Sequence, residues 1–308
     1  MSLYAGFDLG GTQLKYGLID SHGNPVFKAK IPTPPSIQGL MDLFGLLWRE
    51  LRKKWGNEVR AAGLGFPGIY SLRARKILQS PNYAGLDNFD LSAALTRMFD
   101  APFWVDNDAN LAAFGEFACG AGQGSQSLIL LTLGTGVGSG IILDGDIWHG
   151  ACGFAGEMGH ITVRPEGEWC KCGNRGCLET EAAAPAIVRN YWRLSGTTKA
   201  ATAEDVFHRA EAGDQAARRS FALAGAYLGI GLGIALNFMN PDKILIGGGV
   251  MAAGPYIIPH AVEEARKRSW QATFACCSIS AASLGNDAGF LGAASWAKKQ
   301  AQQTGNGS

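Results

Sequence analysis

The sequence predicts an α/β protein built from two similar halves. Strand-like and helix-like runs alternate along its 308 residues. GFDLGGTQLKYGLID near the start and LLTLGTGVGSGIILDG later share one design of strand, glycine turn, strand and acidic turn. The 43 glycines point to many tight turns and close backbone approaches. Two such halves are expected to face each other across a cleft.

In order, the strands are expected at Leu3–Leu9, Leu14–Asp20 and Val26–Ile31, with a helix over Leu40–Trp55 and a strand over Ala61–Phe66. A helix at Leu91–Phe99, a short strand at Phe103–Val105 and a helix at Ala109–Cys119 follow. The plan then restarts with strands at Leu128–Leu133 and Gly140–Leu143. Helices are expected around Ala182–Leu194, Ala203–Ala212 and Gln215–Phe238, then a strand at Lys243–Ile246 and a helix from near Pro255.

A content of 47% hydrophobic and 17% charged residues is that of a soluble globular chain rather than a disordered one. A net charge of +1 offers no field for nucleic acid or an anionic membrane, so small molecules are the expected partners. The N-terminus enters a strand at once, with no basic segment and apolar stretch of a secretion signal. Seven cysteines, an odd number, then fit reduced thiols in the cytoplasm. Phe221–Met239 carries no charge over a nearly membrane-spanning length, but its small residues and Asn237 favour a helix buried in a globular core.

DLGGT (Asp8–Thr12) and LGTGVG (Leu133–Gly138) each set glycines between two strands, where backbone N–H groups can meet a phosphate. This makes Gly10, Gly11, Gly134, Thr135, Gly136 and Gly138 candidates for nucleotide binding. Asp8 is placed to hold the water shell of Mg²⁺, and Thr12 to donate a hydroxyl. Either turn alone also reads as an ordinary hairpin; the matched pair favours a nucleotide.

These two turns, with NDAN (Asn107–Asn110), GEMGH (Gly156–His160) and CKCGNRGCLE (Cys170–Glu179), occur in the order found in the ROK family of sugar kinases. The resemblance runs from about Gly6 to Ala294. It implies a two-domain actin-like ATPase (ribonuclease H-like) fold closing over ATP and a hexose. On that plan residues 1–120, completed by a helix at 288–300, form a smaller α/β domain. Residues 121–287 form a larger one carrying the cysteine loop, and residues 301–308 a disordered tail. Many members have Lys after the first Thr; here Gln13 stands there and Lys15 follows, a variant that glucokinase-like members share.

Cys170, Cys172, Cys177 and His160 supply the number and type of ligands of a closed tetrahedral zinc site. A C-x-C pair suits neither a disulfide nor a dithiol redox centre. Cys119, Cys152, Cys276 and Cys277 lack partners at ligand spacing and read as packed thiols. The metal would order a loop poor in apolar residues, fixing Glu157, His160 and Glu179 as one sugar-binding edge.

In NDAN, Asp108 is the expected general base for a hexose hydroxyl, with Asn107 holding neighbouring hydroxyls. Asp106 reads instead as the cap of the following helix. Asn82, in SPNY, matches a family position near the sugar. Gly248 and Gly249, in ILIGGGV, would let the backbone approach adenine. His22, His149, His208 and His260 show no constellation and read as surface residues.

The family also holds sugar-responsive repressors, which carry a DNA-binding domain ahead of the first glycine turn. Seven residues precede Asp8 here, so a kinase is the expectation, with glucose the expected hexose. N-acetylglucosamine, mannose and fructose are the alternatives. A homodimer is expected.

Overall fold

The computed structural model describes residues 1–71, 73–74, 76–80, 83, 88–199 and 202–305. Asn82 lies outside the described residues. The chain opens with strands β1 (Leu3–Leu9), β2 (Gln13–Ile19) and β3 (Pro25–Pro32), helix α1 (Ile37–Trp55) and strand β4 (Val59–Phe66). The small hairpin β5 (Ile69–Ser71) and β6 (Lys76–Gln79) follows, then α2 (Leu91–Met98), β7 (Phe103–Asn107) and α3 (Asp108–Cys119). Next come β8 (Ser127–Leu133), β9 (Val137–Leu143) and β10 (Asp146–Ile147), and helices α4 (Leu178–Ala182), α5 (Ala184–Ser195), α6 (Ala203–Glu211) and α7 (Gln215–Met239). Strand β11 (Lys243–Gly247), helices α8 (Gly254–Arg268) and α9 (Gln271–Cys276), strand β12 (Ser278–Ala281) and helix α10 (Ala288–Gly305) complete it.

Two five-stranded sheets have the orders β3-β2-β1-β4-β7 and β10-β9-β8-β11-β12. These are the same plan twice: a three-strand meander, then two further strands added beside its first. In each, the added strands run parallel, β1 to β4 to β7 and β8 to β11 to β12. The repeat seen in the two glycine hairpins is therefore a repeat of topology.

The chain divides into two compact units, Met1–Gly124 with Gly140–Gly156 and Asn286–Ser308, and Ser125–Ser139 with Glu157–Gly285. The expected boundary thus moves, because the segment 140–156 belongs with the first unit. The reason is close packing on α3. Gly140 has no side chain, and a Cβ there would lie 2.7 Å from the Ala109 carbonyl and 2.8 Å from the Ala113 methyl. Lys299 ties the same hairpin to α10 by bonding Asp146 at 2.6 Å and the Gly145 carbonyl at 2.7 Å.

In the first unit β1 is buried on both faces, as a central strand must be, and its Phe7 meets Phe44 of α1 and Phe99 edge-on at 5.7 and 5.9 Å. α1 begins at the Ser36 cap, which accepts from Gly39 N, and ends in Arg52, Lys53 and Lys54, where the helix dipole favours cations. α10 runs to Gly305, so residues 301–305 of the expected disordered tail are helical. Its Lys, Gln and Ala residues are strong helix formers, and once Lys299 and the buried Phe290–Ala297 face are anchored the helix simply continues.

In the second unit α7 is the single described helix long and apolar enough to cross a membrane. It is a core helix: Gly225 and Gly229 admit α8, whose Ile257 and Ala261 carbonyls would lie 2.5 Å from a Cβ at either position. The expected helix at Ala182–Leu194 is two, α4 and α5, which turn at Ala183 before Pro185. The edge strand β12, with its polar SISA sequence, gives no strand signal of its own and forms only by pairing with β11.

A Cβ on Gly6 would overlap the Phe290 carbonyl, backbone that cannot swing aside. Gly6→Ala is expected to cost about 3 kcal/mol, at the upper end for overpacking a core. A thermal melt unchanged from wild type would contradict the α10 docking described above.

Candidate functional site

In the first unit, β7 delivers the NDAN turn and α3 carries it away. Asn107 is the helix cap, its Oδ1 accepting from Ala109 N at 2.9 Å and Asn110 N at 3.2 Å, and its Nδ2 donating to the Gly68 carbonyl at 3.2 Å. The expectation that Asp106 caps this helix is thus corrected. As the penultimate residue of a parallel strand its side chain turns inward, and at 2% exposure it is buried. Its Oδ1 accepts from Asn107 N at 2.7 Å and Asn110 Nδ2 at 3.0 Å, and its Oδ2 lies 2.6 Å from His149 Nε2. His149, read as a surface residue, is therefore part of a constellation; nothing in its local sequence announces a partner 43 positions away. Asp108 is the first residue of α3 and half-buried, with its Cα 3.4 Å from the place of a Cβ on Gly65 of β4.

The first glycine turn closes through Gly10 N donating to Gln13 O at 3.0 Å, which leaves Gly11 and Thr12 at its exposed tip. Asp8 faces Lys15 across the β1–β2 pair, with Nζ 3.8 Å from Oδ2. Burial pushes the Asp8 carboxyl above its ordinary range, and Lys15 opposes that shift.

In the second unit the loop after Glu157 folds back on itself through paired backbone bonds. Cys170 N donates to Asn174 O at 2.8 Å, Gly176 N to Glu168 O at 2.9 Å and Leu178 N to Ile161 O at 2.9 Å. His160, Cys170, Cys172 and Cys177 meet there, one donor atom of each within 4.8 Å of every other. Cys172 and Cys177 Sγ are 3.6 Å apart, as are Cys170 Sγ and His160 Nδ1. Ligand atoms of a tetrahedral zinc site with bonds of about 2.0 and 2.3 Å stand roughly 3.6–3.8 Å apart, so the donors fit that metal. Burial and the two neighbouring thiols push the Cys177 thiol up to about 12, while the Asn174 amide holds Cys172 down.

His160 Nε2 is turned to Glu157, 3.8 Å from Oε2. Glu179 spans the loop and the second glycine turn: its Oε2 accepts from Val137 N at 3.1 Å, and its Oε1 lies 4.0 Å from Cys170 Sγ. Of the remaining cysteines, Cys152 and Cys276 are exposed rather than packed. Cys152 lies in a glycine-rich loop, and Cys276 ends the short helix α9, of which no residue is buried. Cys277 is half-buried, and burial pushes its thiol up to about 11.

The second unit also holds a cavity of about 440 Å³, the size of a small-ligand pocket. Gly134, Thr135 and Gly249, all read as nucleotide contacts, line it together with Phe207, His208 and Phe221. Gly248, at φ 93°, has to be glycine, since a Cβ there would overlap the Leu133 carbonyl. That close approach brings the turn after β11 against the end of β8. Sequence reasoning missed the α6 wall of Glu204, Phe207 and His208. Its capping box, Thr202 with Asp205, marks a helix start but says nothing of what the helix covers.

The model of the ROK family matches residues 4–300. A glucokinase of Halalkalibacterium halodurans is 37% identical, the match covering 98% of this chain and 96% of that protein. The crystal structure of a ROK hexokinase from Thermus thermophilus superposes with a TM-score of 0.87 at 33% identity, over 98% of this chain and 99% of that one. A ROK family glucokinase from Streptomyces griseus, solved in complex with glucose and AMPPNP, gives 0.81 at 31% identity, over 97% and 100% of the two chains. The duplicated sheets are those of the actin-like ATPase fold. With the two glycine turns, NDAN and the Cys/His loop all in place, this chain belongs to the ROK family.

Proposed function

We propose that the protein is an ATP-dependent glucokinase, transferring the γ-phosphoryl group of ATP to glucose to give glucose 6-phosphate. The observation that carries this reading is the setting of Asp108. A protein that only senses sugar has no use for a base, whereas this carboxylate stands on a helix start fixed by the Asn107 cap and backed by β4. Likeness to a glucokinase solved with glucose and AMPPNP supports the substrate pair.

Asp108 accepts the proton of the sugar hydroxyl as its oxygen attacks the γ-phosphorus and the bond to the bridging oxygen of ADP breaks. Asn107, Glu157, His160 and Glu179 hold the sugar's other hydroxyls, His160 through the Nε2 that the cysteines leave free. Asn82 is retained in that set on the family pattern alone. The cavity of the second unit takes adenine, with Gly134, Thr135, Gly136 and Gly138 along the phosphates and Gly248 and Gly249 beneath the base. Asp8, Gly10, Gly11, Thr12 and Lys15 serve the phosphates and Mg²⁺. Bound at Cys170, Cys172, Cys177 and His160, Zn²⁺ supplies structural cross-linking and no chemistry of its own. A cytoplasmic homodimer acting on small molecules completes the reading.

Initial rates with ATP and glucose, mannose, fructose or N-acetylglucosamine are expected to give glucose the highest kcat/KM. A tenfold preference for fructose or N-acetylglucosamine would remove the glucose assignment and leave the kinase. Asp108→Asn keeps size and most hydrogen bonding, so kcat should fall by about 10²–10⁴ while KM moves little. Retention of more than roughly a tenth of wild-type kcat would reduce Asp108 to a positioning residue. Elemental analysis of the purified protein should find about one zinc per chain. Cys172→Ser should release it and weaken glucose binding more than ATP binding, and active, unchelated protein without zinc would refute the site.

A further inference from the structure

The buried Asp106 and the half-buried His149 form a pair that the proposed reaction does not use. The carboxylate is 2% exposed and takes three donors: Asn107 N at 2.7 Å, Asn110 Nδ2 at 3.0 Å and His149 Nε2 at 2.6 Å. Two of these donors bracket Asp108 in the chain. Asn107 precedes it and caps the helix; Asn110 follows it on the first turn. The third comes from outside the turn, from the segment just after β10.

His149 is itself held on several sides. Its carbonyl accepts from Ala155 N at 3.1 Å, closing the loop 149–155, and Trp148 N donates to the Ile141 carbonyl at 2.8 Å. Its ring meets Trp296 of α10 at 6.1 Å, and Trp296 stands edge-on to Phe114 of α3 at 5.1 Å. The imidazole thus stands between the Asp106 carboxylate of β7 and Trp296 of the helix that closes the unit. Facing a carboxylate at 2.6 Å, its Nε2 carries the hydrogen and donates it.

A buried ion or ion–dipole pair is a weak source of stability, because desolvation offsets most of the attraction; its use is to select one geometry. Resting on the kinase reading, we propose that the Asp106–His149 pair is a positioning device for Asp108, setting the backbone of residues 107–110 so that the base meets the sugar hydroxyl. His149 touches neither sugar nor nucleotide in this scheme. Its effect is carried by Asp106 to the helix turn, where a displacement of about 1 Å can cost on the order of 10²-fold in rate.

The test is steady-state kinetics with glucose and ATP on wild type, His149→Leu and His149→Gln, with thermal melts on each. His149→Leu removes the donor and should lower kcat about tenfold or more, with both KM values within about threefold of wild type. His149→Gln places an amide nitrogen near the Nε2 position and should restore kcat to within about threefold of wild type, whatever its melting temperature. A merely structural pair would lower the melting temperature and leave kcat per folded molecule unchanged. Undiminished kcat in His149→Leu, or a His149→Gln as slow as the leucine variant, would overturn the positioning role. If His149→Leu does not fold, His149→Asn takes its place under the same criteria, its shorter amide falling short of Asp106. Wild-type protein that phosphorylates no hexose would overturn the kinase reading and this role together, whereas an active wild type with an active leucine variant overturns this role alone.

Discussion

Much of the first unit hangs on one buried carboxylate. Asp106 is the penultimate residue of β7, the edge strand of its sheet, and accepts from the cap residue, from the first helical turn and from His149. Removing one partner of such a buried charge costs about 3–5 kcal/mol, because the other is left desolvated and unpaired. Around it α3 starts at Asp108, the loop 149–155 closes on the His149 carbonyl, and Trp296 lies between His149 and Phe114. The segment 140–156, which packs on α3 through Gly140, brings His149 to this carboxylate.

The second unit is ordered on another principle. Its loop from Glu157 to Glu179 has few apolar side chains to bury, so cross-loop backbone bonds and a cluster of three thiols and an imidazole take the place of a core. Glu179 links this loop to the glycine turn that lines the cavity, accepting from Val137 N while lying beside Cys170. Gly136 makes that possible, since a side chain there would occupy the place of the Glu179 carboxylate.

The two sheets share one strand order, yet the chemistry they carry differs. One half presents an acidic turn on a helix start; the other presents a donor cluster and a small-ligand cavity. The scaffold sets directions, and the loops grafted on it set what can be bound.

The sequence by itself determined the α/β class, the duplicated hairpins, most of the longer strands and helices though not β5, β6, β10, β12 or α9, and which four side chains would cluster in the cysteine loop. These are short-range signals: periodicity, glycine turns, and ligands within eighteen positions, from His160 to Cys177. Asp108 was singled out by the resemblance of NDAN to its family, and the structure sets it at the start of α3, half-buried. What only the tertiary structure decided lies at long range. It moved the helix cap from Asp106 to Asn107, because burial at the end of β7 turns one side chain inward and leaves the other to cap. It found His149 a partner 43 residues away, moved 140–156 between units, extended α10 into the polar tail as far as Gly305 and made β12 a strand. Each of these depends on which surfaces meet when the chain closes, and a polar residue carries no local mark of the partner that will bury it.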